Sequence, residues 1–251
     1  MNRNDTLFSG RAKEYDMYRP NYPSVLVEIV ERECGISPGM RIADIGCGTG
    51  KLAEIFLKAG FRVECVEPNT HMIEMAEKRL SSYENAGLVR GYAEMTTLQD
   101  GSVNLVIAGQ SFHWFDFDRT KLEFKRILAE PKYVALVWND RDDGDTFTGE
   151  YEQFVRKYSH GYHGTGSSGV SGRAISDFFS GSCRKIELSN WQSLDYTGLV
   201  GRYLSVSYSL APGDNKYSDM LRDLKTLFRR FARDGSVRLK YVTRVFLGQL
   251  R

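Results

Sequence analysis

A glycine-rich turn near the start of the chain is the clearest place for chemistry. Residues 44–50 have the sequence DIGCGTG and complete the apolar run that begins at residue 40. Gly46 and Gly48 allow the backbone to turn tightly and allow a ligand to lie against bare main chain. The helix predicted to begin near Gly50 presents unpaired N–H groups to the same space. This spacing predicts a ligand-binding turn between a strand and a helix.

Three classes of ligand compete for such a turn, and the glycine positions separate them. A dinucleotide fold needs the pattern GxGxxG, whereas here the third glycine comes one place early and Lys51 stands sixth. A phosphate-binding loop needs glycine and Ser or Thr where the chain has Ile45 and Leu52. S-adenosylmethionine (SAM) has no phosphate, and Asp44 before the turn suits its ammonium group. A turn that binds no ligand is the remaining alternative.

Glu67 ends the next predicted strand, 23 residues after Asp44. A carboxylate at this place can accept hydrogen bonds from both ribose hydroxyls of a nucleoside, as in dinucleotide folds. An isolated acid at a strand end is commonly just solvated, but its place one βα unit after the turn favours the ribose role. Met72, inside the following helix, can pack on an adenine face or simply on the sheet.

Strands and helices alternate around these residues. Nearly continuous apolar runs predict strands that are buried on both faces, and the alternation predicts right-handed crossovers and a parallel sheet. Strands are predicted over residues 40–44, 61–67, 88–92, 103–108 and 133–138, and helices after Ser24 and over residues 50–59, 70–80 and 118–128.

Beyond Asn139 the pattern is less regular. Residues 160–172 contain five glycines and three serines and form either a lid over the site or a connector. The remaining predicted elements are helices over 174–180, 197–207 and 217–232, a strand over 184–188 and an alternating strand over 237–247.

Three motifs in this order resemble those of class I SAM-dependent methyltransferases. They are the turn at 44–50, VEPN at 66–69 and GYAE at 91–94. Residues 15–23, YDMYRPNYP, and 110–115, QSFHWF, are similar to a small-molecule subgroup that includes trans-aconitate methyltransferase. The resemblance implies an α/β, Rossmann-like seven-stranded mixed sheet of order 3-2-1-4-5-7-6. Strand 7 is then antiparallel, helices cover both faces, and a small helical cap completes the fold.

The resemblance covers about residues 11–140 and is loose in the C-terminal third. It implies a single domain over residues 1–251. The SAM-binding core then spans about 24–140, and the cap and substrate elements span about 1–23 and 141–235.

The resemblance also implies roles for matching residues. Asp44 and the glycines would line the methionyl part of SAM, and Gln110 would lie beside it and the sulfonium. Glu67 would hold the ribose. Ala93 and Glu94 would meet the adenine edge, while Tyr15 and Arg19 would close the pocket and help orient the SAM carboxylate. The predicted cofactor-binding residues are Tyr15, Arg19, Asp44, Gly46, Cys47, Gly48, Glu67, Pro68, Met72, Ala93, Glu94 and Gln110.

His113 is the candidate catalytic residue. Methyl transfer from a sulfonium is an in-line displacement with a neutral leaving group, so a base is needed only if the nucleophile must lose a proton. His113 is therefore either a base or substrate contact, or one wall of the pocket beside Trp114. A carboxylate acceptor would need no base but a cation to hold it. Candidates by rough location are Arg141, Arg202 and Arg244, each otherwise expected to be a surface charge.

Composition limits the partners. The 251 residues include 34 basic and 32 acidic side chains, a net charge of +2, which gives no reason to expect nucleic acid or an anionic membrane. The four cysteines match no zinc or disulfide framework, which predicts no metal and a reducing, cytoplasmic location. No stretch approaches the ~20 apolar residues of a membrane span.

The leading hypothesis is an enzyme that methylates a small molecule and releases S-adenosylhomocysteine, as a monomer or weak homodimer. A regulator that binds SAM or S-adenosylhomocysteine without catalysis is the alternative. A nicotinamide-dependent oxidoreductase fits the glycine spacing less well. RNA methylation fits the near-neutral charge poorly.

Overall fold

The computed structural model describes residues 16–159, 162, 169–206 and 208–250. The first half alternates strands and helices as predicted. Its elements are α1 (Val25–Cys34), β1 (Arg41–Ile45), α2 (Lys51–Lys58), β2 (Arg62–Glu67), α3 (Thr70–Leu80), β3 (Ala86–Arg90), β4 (Val103–Gly109), a 3₁₀ turn (Phe112–Trp114), α4 (Phe117–Ile127) and β5 (Leu128–Arg141).

The second half adds helices and two more strands. These elements are α5 (Thr146–Lys157), α6 (Gly172–Phe178), β6 (Cys183–Leu194), α7 (Tyr196–Leu204), α8 (Tyr217–Phe231) and β7 (Val237–Gln249). Among the described residues, no helix is long and apolar enough to cross a membrane.

The seven strands form one sheet of order β3-β2-β1-β4-β5-β7-β6, which confirms the predicted order. Strands β1 to β5 pair in parallel, and β7 runs antiparallel to both β5 and β6. The chain order reverses at β1 and β4, whose carboxyl ends therefore border a crevice between neighbouring crossovers. The glycine turn lies at this crevice, directly after β1.

Apolar side chains cover both faces of the sheet. On one face, Leu26 of α1, Phe56 of α2 and Leu80 of α3 join a core cluster with the strands. On the other face, Phe124 of α4 and Phe178 of α6 do the same. The result is a three-layer arrangement with the strands buried between helices.

A third apolar cluster lies beyond the sheet and forms the cap. It joins α5, α7 and α8 to the start of β7, through side chains such as Tyr151, Leu199, Leu224 and Leu239. The cap is smaller than expected from the sequence, because β6 belongs to the sheet and α6 packs on α4. Both lie within residues 141–235, which were expected to form the cap.

Several predicted boundaries were wrong for identifiable reasons. The side chain of Asn69 caps α3 by accepting a hydrogen bond from the Met72 N–H at 3.1 Å. Strand β3 lies two residues earlier than predicted, and β5 extends beyond 133–138 at both ends. Strand β6 extends beyond the predicted residues 184–188. The prediction was too short because this edge strand has alternately exposed, polar side chains instead of a continuous apolar run. Helix α5 was missed altogether.

Candidate functional site

The glycine turn has the left-handed backbone that glycine allows. The φ angles of Gly46, Gly48 and Gly50 are 67°, 57° and 79°. A Cβ atom at Gly46 would lie 2.7 Å from Cβ of Ser111, so the protein itself fills that side. Apart from its own chain neighbours, a Cβ atom at Gly48 would have no heavy atom of the described residues within 4 Å. The turn therefore exposes bare main chain to open space at Gly48.

The carboxylate of Glu67 is buried and ties this turn to the end of β2. Its Oε2 accepts a hydrogen bond from the Gly48 N–H at 2.9 Å, and its Oε1 accepts one from the Asn69 N–H at 2.9 Å. Each oxygen of a carboxylate has a second lone pair, so both can accept a further hydrogen bond from a ligand. Pro68 lies between Glu67 and Asn69 in the chain.

Asp44 is fully buried beneath the turn. Its Oδ2 accepts a hydrogen bond from the Ala53 N–H at 3.0 Å, which satisfies one free amide in the first turn of α2. Its Oδ1 is buried and has no hydrogen-bond partner among the described residues. Burial, reinforced by the nearby charge of Glu67, raises the pKa of Asp44 to about 8. A cationic ligand group beside this oxygen would satisfy it and favour its charged form.

The end of β4 contributes two residues, one of which the sequence did not single out. Gln110 has a left-handed backbone with a φ of 57°, and its side-chain Nε2 donates to the Asn139 carbonyl at 3.0 Å. Ser111 is buried, and its hydroxyl donates to the Ile45 carbonyl at 2.9 Å. Ser111 thus joins the end of β4 to the start of the glycine turn. Its place next to Gln110 in the QSFHWF segment was the available signal.

The third predicted motif lies beyond the end of β3. Ala93 is buried, whereas Glu94 is partly exposed and its Oε1 accepts a hydrogen bond from the Asp116 N–H at 2.8 Å. Asp116 caps α4, so Glu94 fixes the loop that precedes this helix. Met72 is buried in the first turn of α3. These residues stand at the same edge of the sheet as Glu67.

Cys47 borders the site through its main chain only. Its side chain is buried in the core between α2 and the sheet. A hydrogen bond with the Cys65 thiol, together with burial, raises the pKa of the Cys47 thiol well above its usual value. The thiol therefore stays neutral near pH 7.

His113 lies close enough to Arg19 for their charges to interact. Burial and this cation lower the pKa of His113 to about 4. Its Nδ1 is buried and has no hydrogen-bond partner among the described residues. The ring of Trp114 lies 4.8 Å from the imidazole ring, and Trp114 is partly exposed. Tyr15, the other predicted residue of this region, lies outside the described residues.

The segment before α1 is hydrogen-bonded to strands β5 and β6 of the sheet. The carbonyl of Tyr18 accepts a hydrogen bond from Gln192 Nε2 at 2.9 Å. The carbonyl of Asn21 accepts one from Asn190 Nδ2 at 2.8 Å and one from Asn139 Nδ2 at 3.3 Å. The segment therefore lies against β5 and β6 near their carboxyl ends, and the closing role of Arg19 stays a prediction.

Two of the three candidate arginines are not surface charges, contrary to expectation. Arg141 and Arg202 are only 8% and 3% exposed. Arg141 donates to Glu152 at 2.6 Å, and Arg202 donates to the Tyr241 hydroxyl at 3.0 Å. Arg244 is partly exposed and pairs with two carboxylates on the neighbouring strands. Within the described part of the chain, no group of three His, Cys, Asp or Glu residues could hold a metal ion. His160 and His163 lie outside the described residues.

The middle of the chain matches a known family. Residues 43–136 match the model of a methyltransferase domain. An uncharacterised methyltransferase of Schizosaccharomyces pombe is 30% identical over 145 residues, which are 57% of each chain. An uncharacterised methyltransferase of Mycobacterium bovis is 27% identical over 241 residues, 94% of this chain and 92% of that one.

Solved structures share the whole fold. A protein of Anaeromyxobacter dehalogenans, assigned as a type II methyltransferase, superposes with a TM-score of 0.68 and 20% identity. The superposition covers 93% of this chain and 98% of that one. At this identity the likeness concerns the fold, which includes the cap region as well as the matched domain.

Proposed function

We propose that this chain is a SAM-dependent methyltransferase that methylates a small-molecule acceptor held between the carboxyl ends of β4 and β5 and the cap. The observation that carries the proposal is the pairing of open space at Gly48 with a buried, unsatisfied oxygen of Asp44. A ligand with an ammonium group and a nucleoside fits both features.

We assign the cofactor contacts from the geometry of the turn. Asp44 would face the ammonium group, and the main chain at Gly46 and Gly48 would line the methionyl part. Glu67 would accept hydrogen bonds from the ribose hydroxyls while it keeps the Gly48 N–H. Ala93 would lie against the adenine edge. SAM, when bound, supplies an electrophilic methyl group on a sulfonium.

The remaining work of the site is positioning. Alignment of a nucleophile with the methyl group can contribute ~7–11 kcal/mol. Gln110 stands at the end of β4 with its amide fixed on the Asn139 carbonyl, and it would place the sulfonium end of the cofactor. The segment around Arg19 would close the pocket against water.

We propose that the uncharged side chain of His113 forms one wall of the acceptor pocket. With its pKa lowered to about 4, the imidazole is uncharged near neutral pH and a weak base. An acceptor that is already a good nucleophile, such as a carboxylate, would need no base. A carboxylate acceptor therefore fits the site better than an alcohol.

The test is methyl transfer from radiolabelled SAM to acceptors in a fractionated metabolite extract. The proposal expects label in a small, organic-extractable or anionic product, with loss of the label in a Gly48→Val variant. If SAM binds but no fraction gains label, the protein is a non-catalytic binder of SAM or S-adenosylhomocysteine. If labelled NADH binds and SAM does not, the proposal is wrong.

A further inference from the structure

A cluster of buried charged and hydroxyl groups lies between the sheet and the cap. Its two cations, Arg141 at the end of β5 and Arg202 on α7, are both buried. Tyr151 interacts electrostatically with both guanidinium groups, so they share one region. The cluster, called here the arginine–tyrosine cluster, consists of Arg141, Arg202, Glu152, Tyr151, Tyr162, Tyr208 and Tyr241.

The charge of Arg141 is neutralised within the protein. Its Nε donates to Glu152 Oε2 at 2.6 Å, and its Nη2 donates to the Tyr162 hydroxyl at 2.6 Å. That hydroxyl in turn donates to Glu152 Oε1 at 2.7 Å, which closes a ring of three groups. Arg141 is therefore a paired, structural cation, and its guanidinium also lies 5.6 Å from the ring centre of Tyr151.

Arg202 is different, because its hydrogen-bond partners are neutral. Its Nε donates to the Tyr241 hydroxyl at 3.0 Å, and its Nη1 donates to the Ser205 hydroxyl at 3.4 Å. Among the described residues it makes no ion pair. A buried cation without an anion is costly to a protein, because desolvation is not offset by a partner charge. A buried charge without a partner of opposite charge is a candidate for a functional site, and the complement of a guanidinium is an anion.

Two tyrosine hydroxyls of the arginine–tyrosine cluster are also unsatisfied, and Tyr151 interacts electrostatically with both Arg202 and Tyr208. The hydroxyls of Tyr151 and Tyr208 are buried and have no hydrogen-bond partner among the described residues. Tyr151 is fully buried, so solvent does not satisfy it. Buried hydroxyls without partners call for an explanation, and two hydroxyl donors in the same cluster as an unpaired guanidinium match the acceptor oxygens of an anion.

The charge of the cluster indicates which anion. Arg141 and Arg202 contribute two positive charges and Glu152 contributes one negative charge, which leaves +1. Arg156, which also pairs with Glu152, is largely exposed and screened by solvent. One carboxylate neutralises the remainder, whereas a phosphate monoester with about two negative charges would leave an excess of negative charge.

The cluster is distant from the place of methyl transfer. The Gln110 N–H donates to the Val137 carbonyl, so the end of β4 is level with Val137 on β5. Arg141 follows four residues later on β5, roughly 13 Å further along the strand. Tyr241 pairs with Arg141 across the β5–β7 ladder and holds Arg202 beyond it.

We propose that Arg202, with the hydroxyls of Tyr151 and Tyr208, binds a carboxylate of the acceptor at the end remote from the methylated atom. The acceptor is then an organic acid whose nucleophile lies on the order of 10 Å from this carboxylate. This inference rests on the proposed function, since it places the anchoring group relative to the methyl donor. It assigns specificity to the cap, and Arg141 keeps a structural role.

Sodium formate is the probe, because it is the smallest carboxylate and fits any carboxylate subsite. The melting temperature (Tm) of the full chain is measured in formate and in sodium chloride of equal ionic strength, with formamide as the neutral control. Formate should raise the Tm of the wild-type protein above its value in chloride. Formamide should not. An equal Tm in formate and chloride would overturn the proposal.

Two arginine variants separate binding from structure. Arg202→Met should raise the Tm in chloride, because it removes an unpaired buried charge, and should abolish the formate effect. Arg141→Met should lower the Tm, because it leaves Glu152 without its buried partner. Arg244→Met, at a paired and partly exposed arginine, should keep the formate effect. A fall in Tm for Arg202→Met, or an undiminished formate effect in that variant, would contradict the proposal.

Two further measurements complete the test. Tyr151→Phe removes only an unsatisfied hydroxyl, so it should keep or raise the Tm in chloride and weaken the formate effect; a lower Tm would contradict its role. S-adenosylhomocysteine should bind Arg202→Met as tightly as it binds the wild-type protein. If the wild-type protein does not bind it, the proposed function fails, while the formate comparison still decides the carboxylate subsite.

Discussion

The Glu67 carboxylate accepts a hydrogen bond from the Gly48 N–H at 2.9 Å. The acid that ends β2 therefore holds the glycine turn that follows β1. One hydrogen bond fixes the positions of the turn and of the carboxylate, the two main features of the predicted cofactor site, relative to each other. The carboxylate also accepts the Asn69 N–H, so it organises the start of α3. A side chain with this position serves the fold and the ligand together.

Replacement of Glu67 by Ala should weaken S-adenosylhomocysteine and SAM alike. The loss of charge-assisted hydrogen bonds is expected to cost ~1–3 kcal/mol, roughly a 5- to 150-fold rise in Kd. Isothermal titration calorimetry measures both ligands. Glu64→Ala, on the same strand but paired with Arg41 at the start of β1, is the matched control and should bind normally. A variant that loses SAM but keeps S-adenosylhomocysteine would exclude a ribose contact, because both ligands carry the same ribose.

Asp44 should make the stability of the ligand-free protein depend on pH. Its pKa is raised to about 8 in the folded chain from 3.8, so folding favours its protonated form. The contribution of this carboxyl to the free energy of unfolding is complete below about pH 3.8. It is lost as the pH rises through 8, by up to about 1.4 kcal/mol per pH unit. Urea unfolding at pH 5, 6, 7 and 8 should therefore show the wild-type protein losing stability relative to Asp44→Asn.

Asp44→Asn is the suitable comparison because an amide oxygen can still accept the Ala53 N–H. The two proteins differ mainly in the ability to titrate at residue 44. Parallel stability curves for the two proteins between pH 5 and 8 would show that this carboxyl does not titrate in that range.

His113 should remain neutral across the physiological range. Its pKa is lowered to about 4 by burial and by Arg19, so its contribution to stability is present above about pH 6.5 and is lost as the pH falls towards 4. The ring proton resonances of His113, assigned with a His113→Gln variant, should not shift between pH 6 and 8. The pH dependence of kcat should keep its shape in that variant. An inflection near pH 6.5 that disappears in His113→Gln would instead assign a base role.

Local patterns predicted the turn, the strand before it and the helix after it, whereas the order of the sheet was implied by the resemblance to class I methyltransferases. The glycines of residues 44–50 and the acid at Glu67 are set by short-range requirements of backbone and charge, which a single sequence displays. Ser111 was overlooked because its role depends on the approach of β4 to β1, 66 residues away in the chain. Its place next to Gln110 in the QSFHWF segment marked the region but did not indicate the contact with Ile45.

The cap was the part that the sequence predicted least well. Arg202 looked like a surface charge because nothing in its neighbourhood indicates burial under β7, where it meets Tyr241. The polar residues of the edge strand β6 made its predicted length too short. Helix α5 was not predicted, and it begins directly after the polar turn at residues 142–145. Long-range packing decides these features, and acceptor specificity depends on them.

Binding of S-adenosylhomocysteine to Gly48→Val tests the central claim most directly. Gly35→Val is the matched control, because Gly35 also has a left-handed backbone, with a φ of 64°, and open space around its Cβ position. Both variants carry similar backbone strain, but only Gly48 borders the proposed cofactor site. We predict that a folded Gly48→Val shows no measurable binding by calorimetry, while Gly35→Val keeps wild-type affinity. Wild-type affinity in a folded Gly48→Val would contradict the assignment of the cofactor site.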